Sequence, residues 1–223
     1  MRGLFVTGTD TGVGKTEVAA ALVAGWRARG LDVGAMKPAQ SGVEDGVPTD
    51  ADLLRAAAGG GDPPALVCPY SLRAPLAPAV AARLEGVRIE VDRVLDCARA
   101  LSRRHAALVV EGAGGLLVPL TDEATYADLA RMLGLPVLVV ARAGLGTVNH
   151  VALTCEALAA RDLEVAGVVL NRSTAAADPS EPHNAAAIER LTGARVLASL
   201  PHEPDPARRA LVFPGLLAAA VQF

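Results

Sequence analysis

The chain has 223 residues, about one and a half times the ~150-residue domain prior, so one medium domain fits and two would be cramped. Apolar residues make up 52% of it and aromatic residues only 3%, so a sizeable core has to be built from Ala, Val and Leu; this excludes a disordered chain and a disulfide-stapled mini-scaffold. Lys and Arg number 21 against 24 Asp and Glu, a net charge of −3, and this balance with so few rings to stack bases excludes a nucleic-acid partner.

Short Val- and Leu-rich runs alternate with longer Ala/Leu/Arg segments of helical period, the pattern of βαβ units around a parallel sheet. In chain order, a strand at Leu4–Thr7 precedes a helix at Lys15–Arg29, and a strand at Asp32–Lys37 precedes a helix at Ala51–Ala58. The segment Ala65–Glu90, with Pro69, Pro75 and Pro78, reads as an irregular elaboration at one sheet edge, and Gly59 to Pro64 before it as a surface turn. A helix at Val91–Arg104 leads into a strand at Ala107–Glu111, then a helix at Tyr126–Leu133 and a strand at Val137–Ala141. A helix at Val148–Arg161, a strand at Val165–Asn171, a mobile loop at Ser173–Pro182, a helix at Asn184–Leu191 and a strand at Arg195–Leu200 complete the series. Gly30 and Gly134 stand where C-cap glycines stop helices. Consecutive apolar residues, as in Leu108-Val109-Val110 and Val137-Leu138-Val139-Val140, call for strands covered on both faces. The expectation is one α/β domain over residues 1–223, P-loop NTPase-like, its mostly parallel sheet flanked by helices on both faces.

Cys68, Cys97 and Cys155 are scattered, odd in number and free of C-x-x-C spacing, which fits reduced thiols in a cytoplasmic protein and suggests no zinc site. The β-like run begins by Leu4 and leaves no room for a signal peptide; no ~20-residue apolar stretch suits a membrane span. The tail after Pro204 is apolar but lacks lysines, unlike a basic membrane-targeting helix.

The strongest local signal is Val6-Thr7-Gly8-Thr9-Asp10-Thr11-Gly12-Val13-Gly14-Lys15-Thr16, a strand running into a glycine loop and then a helix. Glycines let successive N–H groups converge on phosphate oxygens, and the helix presents its positive end to the same group. In such a loop Lys15 reaches the β/γ-phosphates and the Thr16 hydroxyl ligates Mg²⁺. The spacing departs from the strict pattern in one place, since Thr9 stands where the first glycine belongs and Gly8 lies one residue early. An acidic partner is expected at the carboxyl end of a neighbouring strand, and Glu111 supplies one, followed by Gly112, Ala113 and Gly114, which permit close backbone approach. A third acid lies in Thr49-Asp50-Ala51-Asp52: Asp50 is preferred over Asp52 for the metal, while Thr49 or Asp50 is also a natural helix N-cap. Strand two ends at Lys37-Pro38, so Lys15 and Lys37 flank one phosphate and supply the charge a transferring phosphoryl group needs. Gly144 to His150 precedes an Ala/Leu helix and presents N–H groups to an anion, with Thr147 an alternative N-cap.

These blocks together, with Ser41-Gly42, Glu111-Gly112-Ala113-Gly114-Gly115 and Leu145-Gly146-Thr147-Val148-Asn149-His150, resemble the dethiobiotin synthetase family over nearly the whole chain. The resemblance implies an ATP- and Mg²⁺-dependent ligase in which 7,8-diaminononanoate and CO₂ form a carbamate that takes the γ-phosphoryl of ATP, after which the second amine closes the ureido ring. It implies that Thr16, Asp50 and Glu111 hold Mg²⁺ and that Gly12, Val13, Gly14, Lys15, Thr16 and Glu17 cradle the triphosphate, with Gly112, Ala113 and Gly114 beside it. Lys37 and Lys15 become the catalytic charges, Ser41 and Thr11 substrate contacts, and Asn171, Pro201, His202 and Glu203 the adenine site. Asn171 equally suits an Asx turn at a strand end. Gly146, Thr147 and Asn149 would hold the substrate's carboxylate tail from a partner subunit, making the enzyme a homodimer. Two competitors share the P-loop sheet. An ATP-dependent positioning switch is expected to carry a lysine early in the loop, where this chain has Asp10, and an amidotransferase synthetase would need room for a glutaminase domain.

Overall fold

The computed structural model describes residues 1–176 and 178–221, leaving Ala177 of the expected 173–182 loop and Gln222 and Phe223 of the tail outside the described residues. Six strands form the main sheet in the order β2-β5-β1-β6-β7-β8, all paired in parallel: β1 (Gly3–Gly8), β2 (Val33–Met36), β5 (Ala107–Gly115), β6 (Val137–Arg142), β7 (Val165–Asn171) and β8 (Val196–Leu200). All six lie where the apolar runs place them, with β5 extended through the glycines after Glu111. Burial on both faces follows from strict alternation. Leu4, Val6, Val109, Leu138 and Val140 pack on one side, and Phe5, Leu108, Val110, Val137 and Val139 on the other.

The first face is covered by α1 (Lys15–Ala28) and α2 (Asp50–Ala57), the second by α5 (Val91–Arg104), α6 (Tyr126–Leu133), α7 (Thr147–Ala159) and α8 (Glu181–Thr192). Their starts and stops have local causes. Thr125 caps α6 through a reciprocal box with Asp128, and Gly134 ends it in the left-handed region, φ 63°. Among the described residues, no helix is long and apolar enough to cross a membrane.

Three parts differ from the sequence expectation. The segment expected to be irregular contains α3 (Pro64–Val67), β4 (Tyr70–Ser71) and α4 (Pro78–Leu84), and β4 pairs in parallel with β3 (Ala39–Gln40) as a small second sheet. Pro64 and Pro78 open helices rather than forbid them, since Pro at a first helical position gives up an N–H that has no partner there. The loop after β7 is shorter than expected, because Glu181 and Pro182 already belong to the first turn of α8. The apolar tail forms α9 (Pro206–Ala220), started by the Asp205 side chain accepting from the Ala207 N–H.

An internal Pro214 normally disqualifies a helix, but α9 is held by packing rather than by propensity. Phe213, Leu217 and Ala218 are buried against α1, and the Trp26 indole donates to the Val221 carbonyl at 3.2 Å. Gly25 makes the approach feasible: a Cβ there would stand 2.4 Å from the Pro214 carbonyl oxygen and 2.8 Å from the Ala218 Cβ. Gly25→Val is therefore expected to lower stability by about 1–3 kcal/mol in urea unfolding through overpacking at the α1–α9 contact. An unchanged midpoint would show that α9 does not dock there.

Candidate active site

Register alone brings the chemical groups together. Val6 pairs with Glu111 and Met36 with Val110, so Lys37, the residue after Met36, emerges beside Glu111, with the phosphate loop leaving β1 on the other side. The loop takes the backbone shape its glycines permit. Gly14 has φ 92°, a left-handed conformation that favours glycine, and a Cβ there would stand 2.0 Å from the Asn171 side-chain nitrogen, so any other residue would be strained and would displace Asn171. Gly14 is the cap position of α1, leaving that helix's first N–H groups turned towards the cleft without a side-chain cap.

The cleft has a volume of about 590 Å³ and is lined by Thr11, Gly12, Gly14, Lys15, Thr16 and Glu17 from the loop. Lys37, Ser41, Asp50, Glu111, Ala113 and Gly114 face them. The Lys37 ammonium donates to Asp50 Oδ2 at 2.8 Å and to Glu111 Oε1 at 2.5 Å, and the Thr16 hydroxyl donates to the same Glu111 oxygen at 2.9 Å. Glu111 is 0% exposed and Lys37 2%. Burial pushes the Glu111 carboxyl above the usual range, with Lys37 opposing it. For Lys37 burial works against the charge, but Glu111 and Asp50 together outweigh it and hold the ammonium above the ordinary lysine value. Burial also lowers Lys15, which lies opposite and donates to the Asp10 carbonyl at 3.0 Å. For Asp50 the burial penalty is overcome by Lys37 and Thr16, which keep its carboxyl below the usual range.

Asp50 and Asp52 differ in what their side chains do locally. Thr49 is the N-cap, its hydroxyl accepting from the Asp52 N–H while Asp52 Oδ2 accepts from the Thr49 N–H at 2.9 Å, so Asp52 serves the helix and Asp50 is free to face Lys37. Among the described residues no three His, Cys, Asp or Glu side chains gather as a metal cluster. Thr16, Asp50 and Glu111 nevertheless form an all-oxygen donor set, and Glu111 Oε2 is buried without a hydrogen-bond partner. An unpaired carboxylate oxygen of that kind suits a hard divalent cation such as Mg²⁺.

Other expected residues lie around or away from this cleft. Asn171, Pro201, His202 and Glu203 share a smaller pocket of about 180 Å³ with Gly12, Gly14 and Glu17. Asn171 donates to the Val13 carbonyl at 3.1 Å, and the Val13 side chain is buried in the core. Gly112 does not line the cleft; it is buried where a Cβ would touch Phe5 and Tyr126. Gly146, Thr147 and Asn149 are also outside it: Gly146 takes the cap position, Thr147 is 0% exposed with its hydroxyl unpaired, and Asn149 is exposed. Thr147 is thus the first helical residue of α7, not its N-cap.

Sequence reasoning missed several contributors. Gln40 accepts from the Ala51 N–H at 3.1 Å and so docks the start of α2 on β3. Pro75 to Pro78 form the far wall of the cleft. Arg209 of α9 reaches Glu17 at 3.2 Å, and Arg142 reaches Asp10 at 2.7 Å. Only the small-sheet and proline signals were visible locally; the two arginines come from more than 130 residues away.

This sheet and loop define a P-loop NTPase-like protein. Of solved structures, a ParA family ATPase from Chlorobium tepidum TLS is similar at TM-score 0.57 and 15% identity, with 98% of this chain and 92% of that one covered. The MinC:MinD cell division complex of Aquifex aeolicus is similar at TM-score 0.59 and 14% identity, covering 99% and 92%; both likenesses concern the fold. A family model described as AAA domain matches residues 2–209. The ATP-dependent dethiobiotin synthetase BioD of Anaeromyxobacter dehalogenans (strain 2CP-C) is 65% identical over all 223 residues, covering 100% of both chains. That of Caulobacter vibrioides (strain NA1000 / CB15N) is 48% identical over 182 residues, covering 80% of this chain and 83% of its own. The chain belongs to the family of ATP-dependent dethiobiotin synthetases and is an enzyme, a ligase.

The buried pair makes a pH-dependent prediction. Without Lys37, Glu111 would hold a proton in the folded state that the unfolded chain has already lost, so stability would fall as pH rises above the ordinary glutamate range. Lys37→Met is expected to cost about 3–5 kcal/mol at about pH 8 and clearly less at about pH 5, read from urea midpoints in Mg²⁺-free buffer. A loss independent of pH would show that Lys37 does not compensate Glu111.

Proposed function

We propose that this single-domain enzyme of biotin synthesis carboxylates 7,8-diaminononanoate with CO₂ and closes the ureido ring, consuming ATP with Mg²⁺. One amine and CO₂ give a carbamate with loss of a proton. A carbamate oxygen attacks the γ-phosphorus, ADP leaves, and a carbamic-phosphoric anhydride results. The second amine then attacks the carbonyl carbon and expels phosphate, closing the ring.

The observation that carries this reading is the buried Lys37 ammonium, placed between two carboxylates and opposite Lys15 in the cleft that also holds Ser41. Two cations across one cleft suit a reaction whose transition state gathers charge on a transferring phosphoryl group. Thr16, Asp50 and Glu111 would hold Mg²⁺, which neutralises phosphate charge when bound. Gly12 to Glu17, with Ala113 and Gly114, would line the triphosphate, and Ser41 and Thr11 the diamine end. The pocket of Asn171, Pro201, His202 and Glu203 is the place for adenine, held by polar and backbone groups because few rings are available to stack on it.

The enzyme would act as a cytoplasmic homodimer. Its described cysteines are free, in keeping with a reducing compartment. Support for a second copy comes from Gly146 and Asn149, exposed beside Leu145 and Leu153, which are 80% and 55% exposed; a partner that buried this apolar surface would bring the start of α7 to the neighbouring cleft.

Phosphate release with Mg-ATP and bicarbonate is expected to require the diamine, and turnover that is indifferent to its omission would defeat the reading. In the same assay Lys37→Gln, whose amide can still donate to Glu111, is expected to bind ATP nearly as well as the parent while kcat falls by about two powers of ten. An unchanged kcat removes Lys37 from the chemistry.

A further inference from the structure

An acid stands in the phosphate loop itself, apart from the cluster around Lys37. Asp10 lies between Thr9 and Thr11, and its negative charge opposes the polyphosphate that the loop is proposed to hold. That charge is felt at the loop, because Asp10 is among the groups that act on Lys15. Its carboxylate is fully engaged: Oδ1 accepts from the Thr11 N–H at 2.7 Å, and Oδ2 accepts from the Arg142 guanidinium at 2.7 Å.

Arg142 is delivered by the sheet. It is the last residue of β6, which pairs with β1 through Gly8 and Val140, and the Thr9 N–H donates to the Val140 carbonyl at 3.0 Å. The loop's entry and the arginine are therefore fixed to one another by backbone. Both side chains are about half exposed, 43% and 52%, so as a surface ion pair they contribute little to folding. Arg142 also lines, with Thr11, Gly12 and Val13, a pocket on the other side of the loop, and its Nε is buried without a hydrogen-bond partner. An arginine aimed at the phosphate loop from a neighbouring strand, tied to the acid at its start, has an electrostatic use that stability does not explain.

We propose that Arg142 is a positioning residue of the nucleotide site: it cancels the Asp10 charge and holds that carboxylate on the Thr11 amide, so that the loop meets a triphosphate without a repelling acid. The inference rests on the reading that this loop takes the triphosphate of ATP. Asp10 belongs to the loop that would hold the phosphates, and exposed charges act over about one Debye length, ~10 Å at 0.1 M salt, so an unneutralised carboxylate there would weaken nucleotide binding and the weakening would shrink as salt rises.

Titration of Mg-ATP into the full-length protein at low salt tests this with four variants. Arg142→Ala is expected to weaken binding about tenfold, and Arg142→Lys, which keeps the charge, to stay within about threefold of the parent. Asp10→Asn keeps an oxygen for the Thr11 N–H and is expected to bind at least as well as the parent. The double variant, Arg142→Ala with Asp10→Asn, is expected to recover most of the loss, with thermal midpoints alike throughout. Unchanged binding by Arg142→Ala overturns the inference, as does a double variant as weak as Arg142→Ala, which would put the guanidinium on the nucleotide itself. Failure of the parent protein to bind Mg-ATP would overturn the reading of the loop, whereas a parent that binds while Arg142→Ala matches it overturns the inference alone.

Discussion

Glu111 is completely buried at the carboxyl edge of the sheet, and Lys37 meets it from the adjacent strand at 2.5 Å. Removing either charge from such a pair strands the other in a medium that solvates it poorly, so the two residues require each other and fix the edge around them. Asp50 completes the arrangement from α2, and Thr16 joins it from the phosphate loop. Four elements that are separate in sequence are thereby tied at one point. The same tie leaves Glu111 Oε2 without a partner, in an all-oxygen surrounding of a kind that suits a hard divalent cation.

The sheet makes this possible at low cost in sequence. Parallel strands β2, β5 and β1 lie side by side, so whatever follows each of them emerges at the same edge: Lys37 after β2, Glu111 within β5 and the phosphate loop after β1. Ala, Val and Leu fill both faces beneath, which explains why a chain with few aromatic residues still builds two continuous cores. The helix α9 closes one of them and carries Arg209 to Glu17 at the rim of the smaller pocket, linking the end of the chain to its first helix.

Much of this was legible in the sequence, for identifiable reasons. Strands buried on both faces announce themselves as unbroken apolar runs, and the glycine loop with Lys15-Thr16 carries its geometry in its residue types. Lys37 and Glu111 could be placed because each ends such a run. The missed parts depend on distant partners. Asp205 and Pro206 mark a helix start, but Pro214 argues against continuing it, and what lets α9 dock is a missing Cβ at Gly25, almost 190 residues earlier. Gly112 sits in a glycine block that suggests close approach to a ligand, yet the approach is to Phe5 and Tyr126. Arg142 ends a hydrophobic strand like any solvated residue, and only strand order brings it to Asp10.

The central claim is that the Lys37–Glu111 edge serves phosphoryl transfer to a carboxylated amine rather than to water. Following the oxygen of ¹⁸O-labelled bicarbonate through turnover with ATP and 7,8-diaminononanoate tests it most directly, by mass analysis of the phosphate released before the label exchanges with water. The account predicts one labelled oxygen in each phosphate, because the bond broken at ring closure is the carbonyl carbon's bond to the oxygen that took the phosphoryl group. Phosphate free of label, formed while the ring closes, would contradict it.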